Sequence, residues 1–153
     1  LVGHILWDGQ LVPAPLRPDE QYTYLSLWAL LAAPLVFGGD MTQLDDFTLG
    51  LLGNDEVIEI NQDPLGRQAV PVFRNKGLEV WAKDMEDGSK AVGLFNRGAE
   101  ATPLAARWSD LGISGRWKVR DAWRQYDWGV FEGWFTQKVN RHGAVLLRLY
   151  PVP

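Results

Sequence analysis

The sequence contains no cysteine among its 153 residues. Disulfide bonds, a thiolate nucleophile and cysteine-ligated zinc are therefore excluded, although the absence does not decide the compartment. Histidine is also rare, because His4 and His142 are the only two, and neither has a second histidine four residues away. Since metal-binding histidines usually come in closely spaced pairs, we expect no metal site and no cofactor.

The chain has no excess of basic residues, with 15 Lys and Arg against 19 Asp and Glu, for a net charge of -4. A nucleic-acid-binding domain normally shows a basic surface, so we expect no nucleic-acid partner. Long apolar runs are missing too. The richest, Leu25–Phe37, is shorter than the roughly 20 residues that cross a bilayer and is interrupted by Pro34. We therefore expect no membrane insertion.

The first residues carry no initiator Met, no basic segment and no small-residue cleavage site, so they are not typical of a signal peptide. We expect any targeting signal to lie upstream. This leaves the compartment open, with secreted and periplasmic locations among the alternatives, and nothing in the sequence indicates an oligomeric state.

Tryptophan is abundant, with eight residues in a chain that is 46% hydrophobic. Indole rings stack on sugars, but they also fill cores, and abundance alone favours the core interpretation. Trp117 and Trp123 fall on the apolar side of an alternating segment, which predicts burial. Trp128 precedes Gly129 in a predicted loop and is expected to be the most exposed.

The first part of the chain reads as helix, strand and helix. Pro18, followed by acidic residues, predicts a helix that runs to about Ala33. From Leu25 onward this helix is apolar almost all round, so it must be covered on several sides. The apolar Leu35–Phe37 predicts a short strand buried on both faces, as in a parallel sheet. Two further helices are predicted over residues 44–52 and 55–60.

After Gly66 the pattern changes to period two, for example at Leu78, Val80 and Ala82. Short turn signals interrupt this region repeatedly, which predicts seven or eight antiparallel strands between residues 68 and 151 and hence a β-sandwich. We therefore divide the chain into residues 1–66 and 67–153. A lone buried strand cannot satisfy its own backbone groups, so residues 1–66 are interpreted as part of a larger α/β layer.

Three groups of residues resemble the C-terminal part of the α-galactosidases (melibiases) of glycoside hydrolase family 27. The first is the apolar helix with its exit, and the second is the polar segment before the β region. These are Tyr24-Leu25-Ser26-Leu27-Trp28-Ala29-Leu30-Leu31-Ala32-Ala33-Pro34-Leu35 with Gly39-Asp40, and Asn54-Asp55-Glu56-Val57-Ile58-Glu59-Ile60-Asn61-Gln62-Asp63-Pro64-Leu65-Gly66. The third comprises short strand and turn motifs: Glu79-Val80-Trp81, Asp87-Gly88, Ala91–Gly98, Val119–Trp123 and Val139–Gly143.

The resemblance implies a fold of class α/β plus all-β, the last part of a (β/α)8 TIM barrel followed by an antiparallel Greek-key β-sandwich. It also implies hydrolysis of terminal α-galactosides with retention, by two aspartates whose carboxyl groups stand about 5 Å apart. In the family both lie on earlier barrel strands, so no catalytic residue is assigned and this chain alone is expected to be inactive. Galactose, N-acetylgalactosamine and β-L-arabinopyranose remain open as substrates.

Three residues are candidates for substrate binding at the rim of such a site. Asp40 follows the predicted eighth barrel strand, and the ends of barrel strands carry function, although it could equally cap a turn. Trp7 and Asp8 would lie where the chain leaves the seventh strand, and Trp7 could stack on a sugar or serve structure alone. The polar residues 61–63 are better interpreted as a lock at the domain junction. The alternative for the whole chain is a non-catalytic carbohydrate-binding or structural β-sandwich protein.

Overall fold

The structure is a computed structural model that describes residues 3–153, without the side chains of residues 5, 6 and 11. Its first half contains a hairpin of β1 (His4–Trp7) and β2 (Gln10–Pro13), followed by three helices. These are α1 (Pro18–Leu30), α2 (Asp46–Leu52) and α3 (Asp55–Asn61), with a single 3₁₀ turn at Met41–Gln43. The three helices agree with the predicted ones to within three residues at each end. None of the helices in the described chain is long and apolar enough to cross a bilayer.

The second half is all β apart from one short helix, and its strands confirm the predicted sandwich. The strands are β3 (Val70–Asn75), β4 (Leu78–Asp84), β5 (Lys90–Asn96), β6 (Thr102–Arg107), β7 (Arg116–Asp121), β8 (Tyr126–Glu132), β9 (Trp134–Val139) and β10 (Ala144–Val152); helix α4 (Trp108–Leu111) follows β6. Six of them form one sheet in the order β3-β4-β5-β10-β7-β8, and β6 pairs with β9 in a second sheet. All pairings are antiparallel.

Connections that pass between the sheets produce the Greek-key arrangement. The chain leaves the large sheet after β5 and again after β8, and β10 returns to the centre between β5 and β7. Between the two sheets lies the main core, which includes Leu94, Leu104, Val119, Phe135 and Leu147. Residues of the β-sandwich itself therefore fill the space between its two sheets.

The outer face of the large sheet is covered by the helices of the first half. Ala29 and Leu30 of α1 and Ile60 of α3 are fully buried against Leu146 of β10 and Phe95 of β5. As a result, β10 is buried on both faces from Val145 to Leu149. The period-two pattern predicted that one face of such a strand would contact solvent. The side chains of β10 do alternate between the two faces of the sheet, but helices cover the outer face in place of water.

The strand predicted at Leu35–Phe37 is wrong. These residues form no ladder, and the sheets within residues 3–153 contain no strand beside them. Val36 is 78% exposed. Since a strand is stable only when its backbone groups are paired, an apolar segment with no neighbouring strand runs as irregular chain.

Two predictions for tryptophan also need correction. Trp117 is buried as expected, but Trp123 lies beyond the end of β7 and is half-buried, stacked edge-on against Tyr22 of α1 with ring centres 4.9 Å apart. Trp128 is in β8, not in a loop, and at 37% it is less exposed than Trp7 at 70% and Trp134 at 63%.

Candidate functional site

An apolar groove lies on the side of α1 that faces away from the β-sandwich. Its volume is about 840 Å³, and we call it the helix groove; it is lined by His4, Tyr24, Leu25, Trp28, residues 35–41, Leu51, Leu52, Val57, Ile58 and Gln62. Leu35, Val36 and Met41 are 39%, 78% and 71% exposed along its edge. A contiguous exposed apolar surface of this kind is typical of an interface.

Asp40 is the one carboxylate among the described lining residues of the helix groove. Its Oδ1 accepts hydrogen bonds from the Thr42 backbone N–H at 2.9 Å and from the Thr42 hydroxyl at 2.6 Å, which caps the 3₁₀ turn. The bonds from the Thr42 side chain and backbone hold the pKa of Asp40 below its ordinary value. A carboxylate held in its ionised form is a poor general acid at neutral pH, and retaining hydrolysis needs two carboxyl groups.

The other two candidates lie at the tip of the β1–β2 hairpin. Asp8 and Gly9 form the two-residue turn with positive φ of 48° and 74°, the combination that a tight hairpin turn favours. Trp7 is 70% exposed beside it. Neither Trp7 nor Asp8 lines the helix groove, so the structure does not bring the three predicted residues together at this surface. Their part in substrate binding stays a prediction.

The polar segment between α2 and β3 ties the two halves of the chain together. Asn54 caps α3 by accepting from the Val57 N–H at 3.1 Å, and its amide donates to the Ala122 carbonyl at 3.1 Å. Asn61 donates to the Ala33 carbonyl at 2.8 Å, and Asp63 accepts from the Glu86 N–H at 2.9 Å. Asn54 and Asp63 therefore connect the first half to the β-sandwich, whereas the Asn61 bond lies within the first half. That residues 61–63 lock the domain junction stays a prediction.

Three cations form a transverse row across the outer face of the large sheet. The strand register pairs Lys83 with Ala91, Ala91 with Arg148, and Arg148 with Arg120, so the row crosses β4, β5, β10 and β7. Lys83 and Arg148 are 5% and 4% exposed. Because burying an unpaired charge is strongly unfavourable, each cation needs a partner.

Helix α3 supplies one partner for each cation. Arg148 also donates to Ser89 and Asp87 of the β4–β5 turn, and Arg120 also pairs with Asp127 of β8. Glu56 accepts a bidentate hydrogen bond from Arg120, in which Arg120 Nε lies 2.8 Å from Glu56 Oε2. Glu59 lies 3.5 Å from Arg148, and the Ile60 carbonyl accepts from the Lys83 ammonium. Residues at positions i, i+3 and i+4 share one side of a helix, which is why they can follow the cation row.

Lys83 also donates to the Ala29 carbonyl at 3.5 Å, so one ammonium serves the C-terminal ends of α1 and α3. A cation is favourable there because the carbonyl groups of the last turn carry partial negative charge. Burial lowers the pKa of Lys83, and the nearby Asp63 carboxylate opposes that shift. The arrangement fastens helices to the sheet and offers no reactive group.

This row of cations was not predicted from the sequence, because a charged residue in an alternating strand is normally expected to face solvent. The signal was nevertheless present: three strands carry a cation in the polar phase, and α3 carries two acids three residues apart. Within residues 3–153 no cluster of three or more histidine, aspartate or glutamate side chains could hold a metal ion.

Two family models match separate parts of the chain. The family described as "Alpha galactosidase A" matches residues 12–63, and "Alpha galactosidase C-terminal beta sandwich domain" matches residues 75–149. The chain belongs to the α-galactosidase family. Within glycoside hydrolase family 27 it corresponds to the C-terminal part.

Relatives in sequence agree with this family membership. An α-galactosidase of Cyamopsis tetragonoloba is 36% identical over 135 residues, which cover 87% of this chain and 33% of that protein. An α-galactosidase of Oryza sativa is 37% identical over 134 residues, covering 86% of this chain and 32% of that protein. The chain therefore spans about a third of the length of these relatives.

Solved structures show the same fold. A family 27 β-L-arabinopyranosidase of Geobacillus stearothermophilus superposes with a TM-score of 0.91 at 29% identity, covering 99% of this chain and 35% of that one. α-Galactosidase I of Mortierella vinacea superposes with a TM-score of 0.85 at 28% identity, covering 88% and 36%. The predicted fold, the end of a TIM barrel followed by a β-sandwich, is confirmed.

Proposed function

We propose that this chain is the C-terminal third of a retaining α-galactosidase, with residues 1–66 completing a catalytic (β/α)8 barrel and residues 67–153 forming the β-sandwich that supports it. The substrate of the whole enzyme is then a terminal α-galactoside. The family relationship to enzymes named α-galactosidase supports this choice over arabinopyranoside or N-acetylgalactosaminide, because the sequence relatives at 36% and 37% identity both carry that name.

The observation that carries the proposal is the two-sided environment of α1. Its sandwich side is sealed by Ala29 and Leu30, both 0% exposed, whereas Tyr24 and Trp28 on its other side line the helix groove. A helix that closes one domain would normally turn a polar face outward. An apolar outward face fits a helix whose remaining neighbours are the preceding strands and helices of a barrel.

The proposed division of labour leaves the chemistry outside this chain. The two catalytic aspartates of the family belong to earlier barrel strands, and no residue here is assigned to them. The isolated chain should therefore release no nitrophenol from a nitrophenyl α-galactoside above the buffer rate. Turnover that copurifies with the chain through successive columns would contradict the proposal.

A chimera tests the structural part of the proposal. The upstream two thirds of the Cyamopsis tetragonoloba relative, joined to this chain, should hydrolyse the nitrophenyl α-galactoside, because the barrel is then complete. The variant Val36→Asp places a charge on a residue that is 78% exposed in this chain. We expect it to leave the melting of the isolated chain unchanged but to abolish activity of the chimera, since a charge would be buried against the barrel.

Val130→Asp is the matched control, because Val130 is 50% exposed on the edge strand β8, in the β-sandwich. It should be neutral in the isolated chain and in the chimera. Equal activity of the two chimeric variants would show that the helix groove does not face the barrel.

A further inference from the structure

A second concave surface lies on the β-sandwich, on the opposite side of the large sheet from the helix groove. It is a pocket of about 430 Å³ on the outer face of the β6–β9 sheet, lined by Ala105, Arg107, Ser109, Gly133, Trp134 and Thr136. We call it the Trp134 pocket. Its volume falls within the roughly 300–1,000 Å³ that is common for small-ligand sites.

The strand register explains why these side chains meet. Arg107 is paired with Trp134, and Ala105 with Thr136, so the four occupy one face of the two-stranded sheet. The alternate residues Ala106 and Phe135 point into the core at 0% and 4% exposure. The small side chain of Ala105 and the bare backbone of Gly133 leave space beside the indole.

Three of the four polar side chains of this pocket have no partner among the described residues, whereas the Ser109 hydroxyl donates a long hydrogen bond to Asp110 Oδ1 at 3.4 Å. The free indole N–H of Trp134 differs from that of most other tryptophans. Five indole N–H groups donate to protein acceptors: Trp28 to Pro34, Trp81 to Glu79, Trp108 to Gly115, Trp117 to Ser114 and Trp123 to Ser26. Among the side-chain hydrogen bonds and ion pairs of the described residues, none uses the indole of Trp134, the guanidinium of Arg107 or the hydroxyl of Thr136.

The exposure of Trp134 has no structural explanation. At 63% it leaves most of a large apolar ring in water, although a ring of this size stabilises a fold mainly when it is buried. A flat aromatic surface beside a cationic donor and two hydroxyls is suited to a ligand with one apolar face and a hydroxylated rim.

We propose that the Trp134 pocket is a non-catalytic binding site for a neutral pyranose sugar, whose C–H face packs on the indole while Arg107, Ser109 and Thr136 bond its hydroxyls. The site rests on geometry alone, whereas the choice of a galactose-type sugar rests on the proposed function. No carboxylate is among the described lining residues, so the pocket binds without cleaving. Such a site would hold the enzyme on a polymeric galactoside.

The test is a titration of the ¹⁵N-labelled 153-residue chain with methyl α-galactoside, followed through the eight indole N–H signals. The signal that Trp134→Ala removes should shift, and the binding isotherm should be at least about tenfold weaker in that variant, which corresponds to about 1.4 kcal/mol. Arg107→Gln should weaken binding in the same direction. Because Trp134 and Arg107 are exposed, both variants should melt like the parent chain.

Tyr126→Ala is the control, since Tyr126 is 54% exposed on β8 and does not line the pocket. It should bind like the parent. An unshifted Trp134 signal at about 50 mM sugar, well above a millimolar Kd, would overturn the proposal. A shift with galacturonate but not with the neutral sugar would overturn its ligand class. Because this chain is expected to lack the catalytic centre, either failure would leave the proposed enzymatic role untouched.

Discussion

The contact between Leu30 of α1 and Gly93 of β5 predicts a non-additive pair of substitutions. Leu30 is 0% exposed, and a Cβ atom built on Gly93 would lie 2.5 Å from its Cδ1 and 2.5 Å from Phe95 Cε2. The absence of a side chain at Gly93 is therefore what lets the helix approach the sheet. A substitution at either position should be felt at the other.

Each single change has a separate cost. Leu30→Ala removes a buried side chain and leaves a cavity, for which about 3 kcal/mol of destabilisation is expected within the usual range of about 2–5. Gly93→Ala overpacks the same space and should cost about 2 kcal/mol. If the two effects were independent, the double variant would lose about 5 kcal/mol.

The structure predicts a smaller loss. In the double variant the new Cβ enters the space that Leu30 vacated, so the clash with the helix disappears and only the contact with Phe95 remains. We expect a coupling of about 1–2 kcal/mol, which leaves the double variant about 3–4 kcal/mol less stable than the parent chain. Urea denaturation followed by circular dichroism measures all four unfolding free energies.

Leu104→Ala is the matched control. Leu104 is also buried, at 5% exposure, but it lies in the core between the two sheets, on the far side of the large sheet from α1. Combined with Gly93→Ala it should be additive within about 0.5 kcal/mol. Additivity of the Leu30 pair as well would refute the reasoning, because it would mean that α1 does not rest on β5.

Two further predictions concern charge and the division of the chain. Asp87→Asn keeps the acceptor for Ser89 but removes the negative charge that lies 3.0 Å from the buried Arg148. Because the Asp87 side chain is 46% exposed, we expect the free energy of unfolding to fall by only about 1 kcal/mol at neutral pH. Burial acts to raise the pKa of Asp87, but the Ser89 bonds and Arg148 outweigh it and hold that pKa below 3.8. The stabilisation that the Asp87 charge provides should therefore be complete above about pH 5 and vanish as the pH falls through the folded-state pKa. The denaturation midpoints of variant and parent should then converge in acid. A difference between the two midpoints that does not change with pH would contradict this. In calorimetry, residues 68–153 alone should melt cooperatively but at a lower temperature than the whole chain, because they lose the helices that cover the outer sheet face. Residues 1–66 alone should show no cooperative melt. A cooperative transition from residues 1–66 would contradict the proposed domain division.

Local sequence patterns predicted the helices and strands of this protein well where an interaction within a few residues produces the pattern. Period two located the β-strands because alternate residues of a strand necessarily point to opposite faces, and the turn signals separated them. Helix α1 was predictable from Pro18 and the acids that follow it, because the helix dipole acts within the first turn.

Predictions that depended on distant partners were less successful. Leu35–Phe37 has the composition of a buried strand, but a strand is formed by its neighbours, and none lies beside it in the described chain. Lys83 and Arg148 occupy positions of their strands where an alternating pattern predicts exposure, yet α3 covers them. Trp134 was grouped with the other tryptophans, and only the pairing of β6 with β9 distinguishes it.

The sequence by itself determined three helices and the all-β second half, the absence of cysteine chemistry and, through its family motifs, the kinship with α-galactosidases. These properties depend on composition and on interactions within a few residues. The sequence did not indicate the β1–β2 hairpin or α4. The tertiary structure alone decided which polar side chains are buried, which face of α1 is left open, and which side chains meet in the Trp134 pocket. Such properties depend on contacts between residues that are far apart in the chain, and no short-range pattern encodes the register that brings them together.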